Sequence, residues 1–138
     1  MIKHSDIRTQ LDTAGFCAYT VKGFSMHPML REDRDVVMIR KKASPPAIND
    51  VVLYEYDGEL VLHRVRKITP DGYLIRGDNT YTDHVNVPKS AILGVLEYYV
   101  KNGKRIDVAT DRRYLRYVRR RNVSYPFRLV IRKILGKA

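Results

Sequence analysis

With 138 residues, 26 Lys or Arg against 15 Asp or Glu, and a net charge of +11, the chain is sized for one domain that buries its core without metal or disulfide staples. Its single cysteine, Cys17, excludes an internal disulfide and any cysteine-built zinc site. The longest stretch without a charged side chain, Thr13 to Val21, is nine residues, against roughly 20 needed to cross a bilayer.

No apolar signal-peptide core lies in residues 1 to 15. The expectation is a cytoplasmic protein, free or peripheral to a membrane. Charge is unevenly spread: residues 111–138 hold ten Lys or Arg and one acidic residue, so the preceding 110 carry only +2. A body of near-balanced charge is followed by a basic segment suited to acidic protein, anionic lipid or phosphate.

Residues 5–14 read as a short helix, with Ser5 as N-cap, Asp6 in the first turn, Ile7, Leu11 and Ala14 on one face, and Gly15 as the stop. From Phe16 the pattern turns to β. Phe16 to Val21 also makes Cys17 an inert core thiol. Tyr19 to Lys22 leads as a strand into Gly23-Phe24-Ser25-Met26-His27-Pro28-Met29-Leu30, a glycine-entered turn that presents one serine between apolar neighbours. Val36 to Ile39 is the next strand, ended by Arg40-Lys41-Lys42 and Ser44-Pro45-Pro46.

Val51–Tyr56 and Leu60–Val65 flank Asp57-Gly58, a strong hairpin signal. A second hairpin turns at Pro70-Asp71-Gly72 and returns through Tyr73–Arg76. A third pairs Ala91–Val100 with Ile106–Val108 across Asn102-Gly103. Six or more strands on tight turns, with helices only at the ends, predict a mainly β, coiled antiparallel domain. That domain spans residues 1–110; residues 111–138 form a basic, partly helical extension and not an independent domain.

In the extension, Thr110-Asp111 is placed to cap a helix through Asn122, and Pro126 to start another with Phe127, Val130, Ile131, Ile134 and Leu135 on one face. Three uses of that face stay open: packing on the β domain, docking on a membrane surface or partner, and nucleic-acid contact, which no accompanying motif supports.

A serine hydroxyl attacks at neutral pH only if a base takes its proton, and histidine suits that task. A carboxylate on the far imidazole nitrogen fixes the tautomer. Ser25, His63 and one of Asp78 or Asp83 supply those parts in chain order. Each also has an ordinary structural reading: turn serine, half-buried strand histidine, Asx-turn and loop carboxylates. Spacing alone does not choose.

The box Ser25-Met26-His27-Pro28-Met29-Leu30 resembles the Ser-Met-x-Pro box of the S24/S26 serine peptidases, the signal peptidase I and LexA-like superfamily. Asn49-Asp50-Val51-Val52-Leu53-Tyr54, Val61-Leu62-His63-Arg64-Val65 and Gly77-Asp78-Asn79 resemble its later boxes in the same order, and Ala91 to Val95 its closing strand. The histidine is similar to the Ser-His-Asp signal peptidase type, where other members use lysine.

The resemblance implies Ser25 as nucleophile, His63 as general base, Asp83 as triad acid and Asp78 as a supporting carboxylate. It also implies backbone donors around Gly23, Phe24 and Met26 for the oxyanion and substrate, a peptide or protein substrate, and no cofactor or metal. Asn49 replaces a frequent family glycine in a left-handed turn that asparagine tolerates, and no membrane anchor is expected ahead of Ser25. A catalytically silent binding module and a self-cleaving LexA-like regulator are the alternatives.

Overall fold

The computed structural model describes residues 4–41 and 43–136; Lys42 of the basic triplet and the Ser5 side chain lie outside the description. The elements run α1 (His4–Ala14), β1 (Phe16–Thr20), β2 (Val36–Arg40), β3 (Val51–Tyr56), β4 (Glu59–Thr69), β5 (Gly72–Arg76), β6 (His84–Val87), β7 (Ile92–Lys101), β8 (Lys104–Asp107) and α2 (Arg112–Ile134).

The eight strands form one antiparallel, curled sheet in the order β1-β2-β7-β3-β4-β5-β6, with β8 paired to β7. Register shifts at Met38/Ile39, Leu53/Tyr54, Val65/Lys67 and Tyr73/Ile75 bend it. The three expected hairpins form. At the first, Asp57 and Gly58 have φ of 51° and 79°, the geometry of a two-residue hairpin, which sets Tyr56 opposite Glu59 and Val52 opposite His63. The β6 strand was not expected, and β4 runs four residues past Val65.

Side chains alternate across a strand, and β3, paired on both edges, splits its residues between two cores. Val51 and Leu53 join α1, β1, β2 and the serine turn, where Ile7, Leu11, Cys17, Met26, Met29, Leu30 and Leu96 are buried. Val52 and Tyr54 join Val65, Tyr73, Ile75, Val87 and Val95 on the other face. Cys17 is buried, and burial pushes its thiol pKa up, away from reactivity.

Both helices differ from expectation. α1 starts one residue earlier, and Ala14 is exposed. α2 is one continuous 23-residue helix with Pro126 inside it, not two. It is capped as expected, Asp111 accepting from the Tyr114 N–H. The proline removes the backbone donor that the Asn122 carbonyl would otherwise receive, and in the same turn the Arg121 carbonyl accepts from Arg128 Nη2 and Ser124 Oγ. Its first half buries Tyr114 and Val118. Val123, Phe127, Val130, Ile131, Ile134 and Leu135 are 54–77% exposed, and at 3.6 residues per turn they share an outward stripe. Packing of that apolar face on the β domain is therefore overturned. Among the described residues no helix is long and apolar enough to cross a membrane.

Candidate active site

Gly23 enters the serine turn with φ of 81°, a conformation that costs glycine little. Beyond it, the His27 N–H donates to the Phe24 carbonyl and the Leu30 N–H to the Met26 carbonyl. Met26, Met29 and Leu30 anchor the turn in the first core, whereas Phe24 is 63% exposed. Asn79 clamps it from the other side. Its N–H donates to the Ser25 carbonyl at 2.8 Å and its side-chain amide to the Phe24 carbonyl at 3.1 Å. The N–H groups of Gly23, Phe24, Ser25 and Met26 donate to no acceptor among the described residues.

Gly77 lies against both the Ser25 carbonyl and the His63 ring. A Cβ built on it would stand 2.6 Å from the Ser25 carbonyl oxygen and 3.0 Å from both Cδ2 and Nε2 of His63. No side chain fits there, so the turn and the imidazole edge close on the same backbone atom. Ser25 Oγ makes no hydrogen bond to His63 among the described residues; contacts of this kind commonly tighten when substrate binds.

The other imidazole nitrogen does not meet a carboxylate. Tyr54 Oη lies 3.2 Å from His63 Nδ1 and 2.7 Å from His84 Nδ1. His84 in turn stacks on Tyr56, with ring centroids 3.7 Å apart. Burial, and secondarily the His84 charge, push the His63 pKa down to about 4, with Asp78 pulling weakly the other way. Burial also lowers His84 against the opposing pull of Asp57 and Asp83, and it raises the Tyr54 phenol far above its ordinary range, so that proton stays on.

Asp83, expected on His63, is bound to Arg76 Nη1 at 2.8 Å. Asp78 pairs with Arg64 in two bonds, Nε–Oδ1 at 2.8 Å and Nη2–Oδ2 at 2.9 Å, and accepts from Tyr117 Oη at 2.7 Å. Burial opposes the Asp78 charge, but these donors outweigh it and hold the carboxyl below the ordinary carboxylate range. Arg64 is fully buried, and its remaining donors reach the Asn49 carbonyl, Tyr114 Oη and Met29 Sδ, which occupies all five N–H groups of a guanidinium. Asn49 itself has φ of 78°, the left-handed turn expected of it.

α2 closes this arrangement from behind. Arg121 Nη2 donates to the Asp78 carbonyl at 3.0 Å and the His27 carbonyl at 3.3 Å, tying the two loops. Sequence reasoning treated residues 111–138 as an appendage and overlooked Tyr114, Tyr117 and Arg121, as well as Tyr54 and His84. A two-residue hairpin fixes register, so the signal for Tyr54 was present: it shares a face with Val52, the residue opposite His63. Among the described residues no three His, Cys, Asp or Glu side chains gather to hold a metal.

A family model described as Peptidase S24-like matches residues 4–97. The chain belongs to the Peptidase S24-like family. Among curated proteins no sequence matches the chain. The matched span of the S24-like domain includes the serine turn, β4 with His63, and the Gly77–Asp83 loop, while α2 lies beyond it.

Proposed function

We propose that the protein is a serine endopeptidase in which Ser25 is the nucleophile and His63 the general base. The observation that carries this reading is the meeting of the Ser25 turn and His63 Nε2 at Gly77. Ser25 Oγ attacks the scissile carbonyl while His63 Nε2 takes its proton and then gives it to the leaving amine. Water, deprotonated by the same imidazole, releases the acyl group. The free N–H groups of Gly23 to Met26 are candidate oxyanion donors. The substrate is an extended peptide segment, of leader, signal-like or partner origin, lying by exposed Phe24.

A fluorophosphonate probe is expected to label the protein at Ser25, with labelling lost in Ser25→Ala and in His63→Ala. Labelling that survives Ser25→Ala would overturn the assignment and leave a silent binding or regulatory module. A self-cleaving LexA-like regulator is disfavoured by histidine in place of lysine.

The outward apolar stripe of α2, bordered by Arg119, Arg128 and Lys133, suits an anionic bilayer surface. The full chain is expected to pellet with anionic vesicles, less so at high salt. Equal pelleting by a Phe127→Ser/Ile134→Ser variant would remove the stripe from that role.

A further inference from the structure

His63, Tyr54 and His84 form a chain of two hydrogen bonds, Nδ1···Oη at 3.2 Å and Oη···Nδ1 at 2.7 Å. Tyr54 brings one proton to two bonds, so it donates to one imidazole and accepts from the other. A base at His63 Nε2 needs that nitrogen bare, which puts the proton on Nδ1 and makes it the donor to Tyr54 Oη. The phenol hydrogen is then committed to His84 Nδ1, which accepts only while it carries no proton.

Protonating His84 reverses every arrow. Its Nδ1–H donates to Tyr54, Tyr54 donates to His63 Nδ1, and the His63 proton must sit on Nε2, facing Ser25. We propose that His84, acting through Tyr54, sets which nitrogen of His63 carries the proton: neutral His84 arms the base and charged His84 disarms it. This rests on His63 being the base. Tyr54 and His84 are thus positioning residues, taking the orienting place that a carboxylate would hold.

Three features favour this reading. The chain lies on one face of the sheet: Tyr54 follows Val52, the partner of His63, by two residues, and His84 pairs with Ile75 of the same core. His63 is buried and His84 only half-buried, so solvent protons reach the outer ring first. The imidazolium formed at His63 during attack donates through Nδ1 in the armed direction, so no hydrogen bond has to turn over. Around His84 stand Tyr54 and Tyr56 of β3, Asp57 of the first hairpin, His63 of β4, and Asp83, itself paired with Arg76 of β5.

The test is nitrogen-15 NMR of the histidine-labelled full chain through a pH titration, beside the rate of fluorophosphonate labelling. At neutral pH, His63 is expected as the Nδ1–H tautomer, changing to Nε2–H at the pH where His84 charges. The acid limb of labelling should follow His84. In His84→Gln the amide oxygen still accepts from Tyr54 without titrating, so the tautomer stays Nδ1–H and the limb moves to lower pH. In His84→Leu no acceptor remains, and labelling at neutral pH should fall about 100-fold or more.

A His63 tautomer that ignores the charge on His84 overturns the proposal even if the protein labels well. A tautomer change without any labelling supports the coupling and overturns the peptidase reading instead.

Discussion

Two Arg–Asp pairs flank the candidate site, and they differ in almost everything but composition. Arg64 and Asp78 have side chains 1% and 2% exposed; Arg76 and Asp83 are 10% and 38% exposed. The inner pair is doubly bonded, supplied by Tyr117, and sits under the loop whose Asn79 holds the Ser25 carbonyl. The outer pair is singly bonded, with Arg76 laid 3.6 Å over the Tyr125 ring. Two carboxylates five residues apart therefore do different work: Asp78 anchors the loop that clamps the Ser25 turn, and Asp83 pairs with Arg76 nearer the surface.

The largest effect that would break this contrast is at Asp78. Leaving Arg64 buried without its partner, Asp78→Ala should cost about 3–5 kcal/mol in urea unfolding. A cost no larger than that of Asp83→Ala would erase the distinction between the pairs. The pH dependence of stability separates the inner carboxylate from its histidine neighbour. His63 has a folded pKa of about 4 against an ordinary 6.5, so the folded state resists its protonation. Stability should therefore fall by about 3 kcal/mol as pH drops from 6.5 to 4, and His63→Gln should lack this fall. The Asp78 contribution, from a pKa lowered below 3.8, is present above that pH and is lost only as pH falls further, toward the folded value.

Smaller effects sharpen the comparison. Tyr117→Phe removes one bond to the inner carboxylate and should cost about 1.5–3 kcal/mol. Asp83→Ala should cost less than Asp78→Ala, about 1–2 kcal/mol, because Asp83 is open to solvent and the buried Arg76 keeps its place on the Tyr125 ring, and should leave fluorophosphonate labelling close to wild type. A loss of about 10⁴-fold, the size expected when a triad carboxylate is removed, would make Asp83 the third member and remove Tyr54 from that place.

Local signals carried much of the fold. Asp57-Gly58, Pro70-Asp71-Gly72 and Asn102-Gly103 each mark a turn whose flanking runs could only pair with one another. β6 escaped because its four residues follow a loop and include Asn86 at φ of 55°, which interrupts an alternating pattern. Pro126 read as a helix boundary because the rule is local, whereas Tyr114, Tyr117 and Arg121 hold the helix to the body. The boxes in order placed Ser25 on a turn and His63 on a strand, where the structure has them. Their polar partners were not legible, because a carboxylate goes to the cation that tertiary packing brings. Arg64, next to His63 in sequence, points to the other face of β4 and takes Asp78 with it.

Gly77 carries one more consequence. Alanine there would press on the Ser25 backbone at 2.6 Å, which cannot yield cheaply, and on the His63 ring, which can swing away. If Ser25 and His63 act as proposed, Gly77→Ala should push the imidazole away from the serine turn with both side chains still present, and fluorophosphonate labelling should be lost. Under that proposal, such a variant would serve to trap the peptide substrate. On the same proposal, a single methyl group separates a protein that cuts from one that only binds.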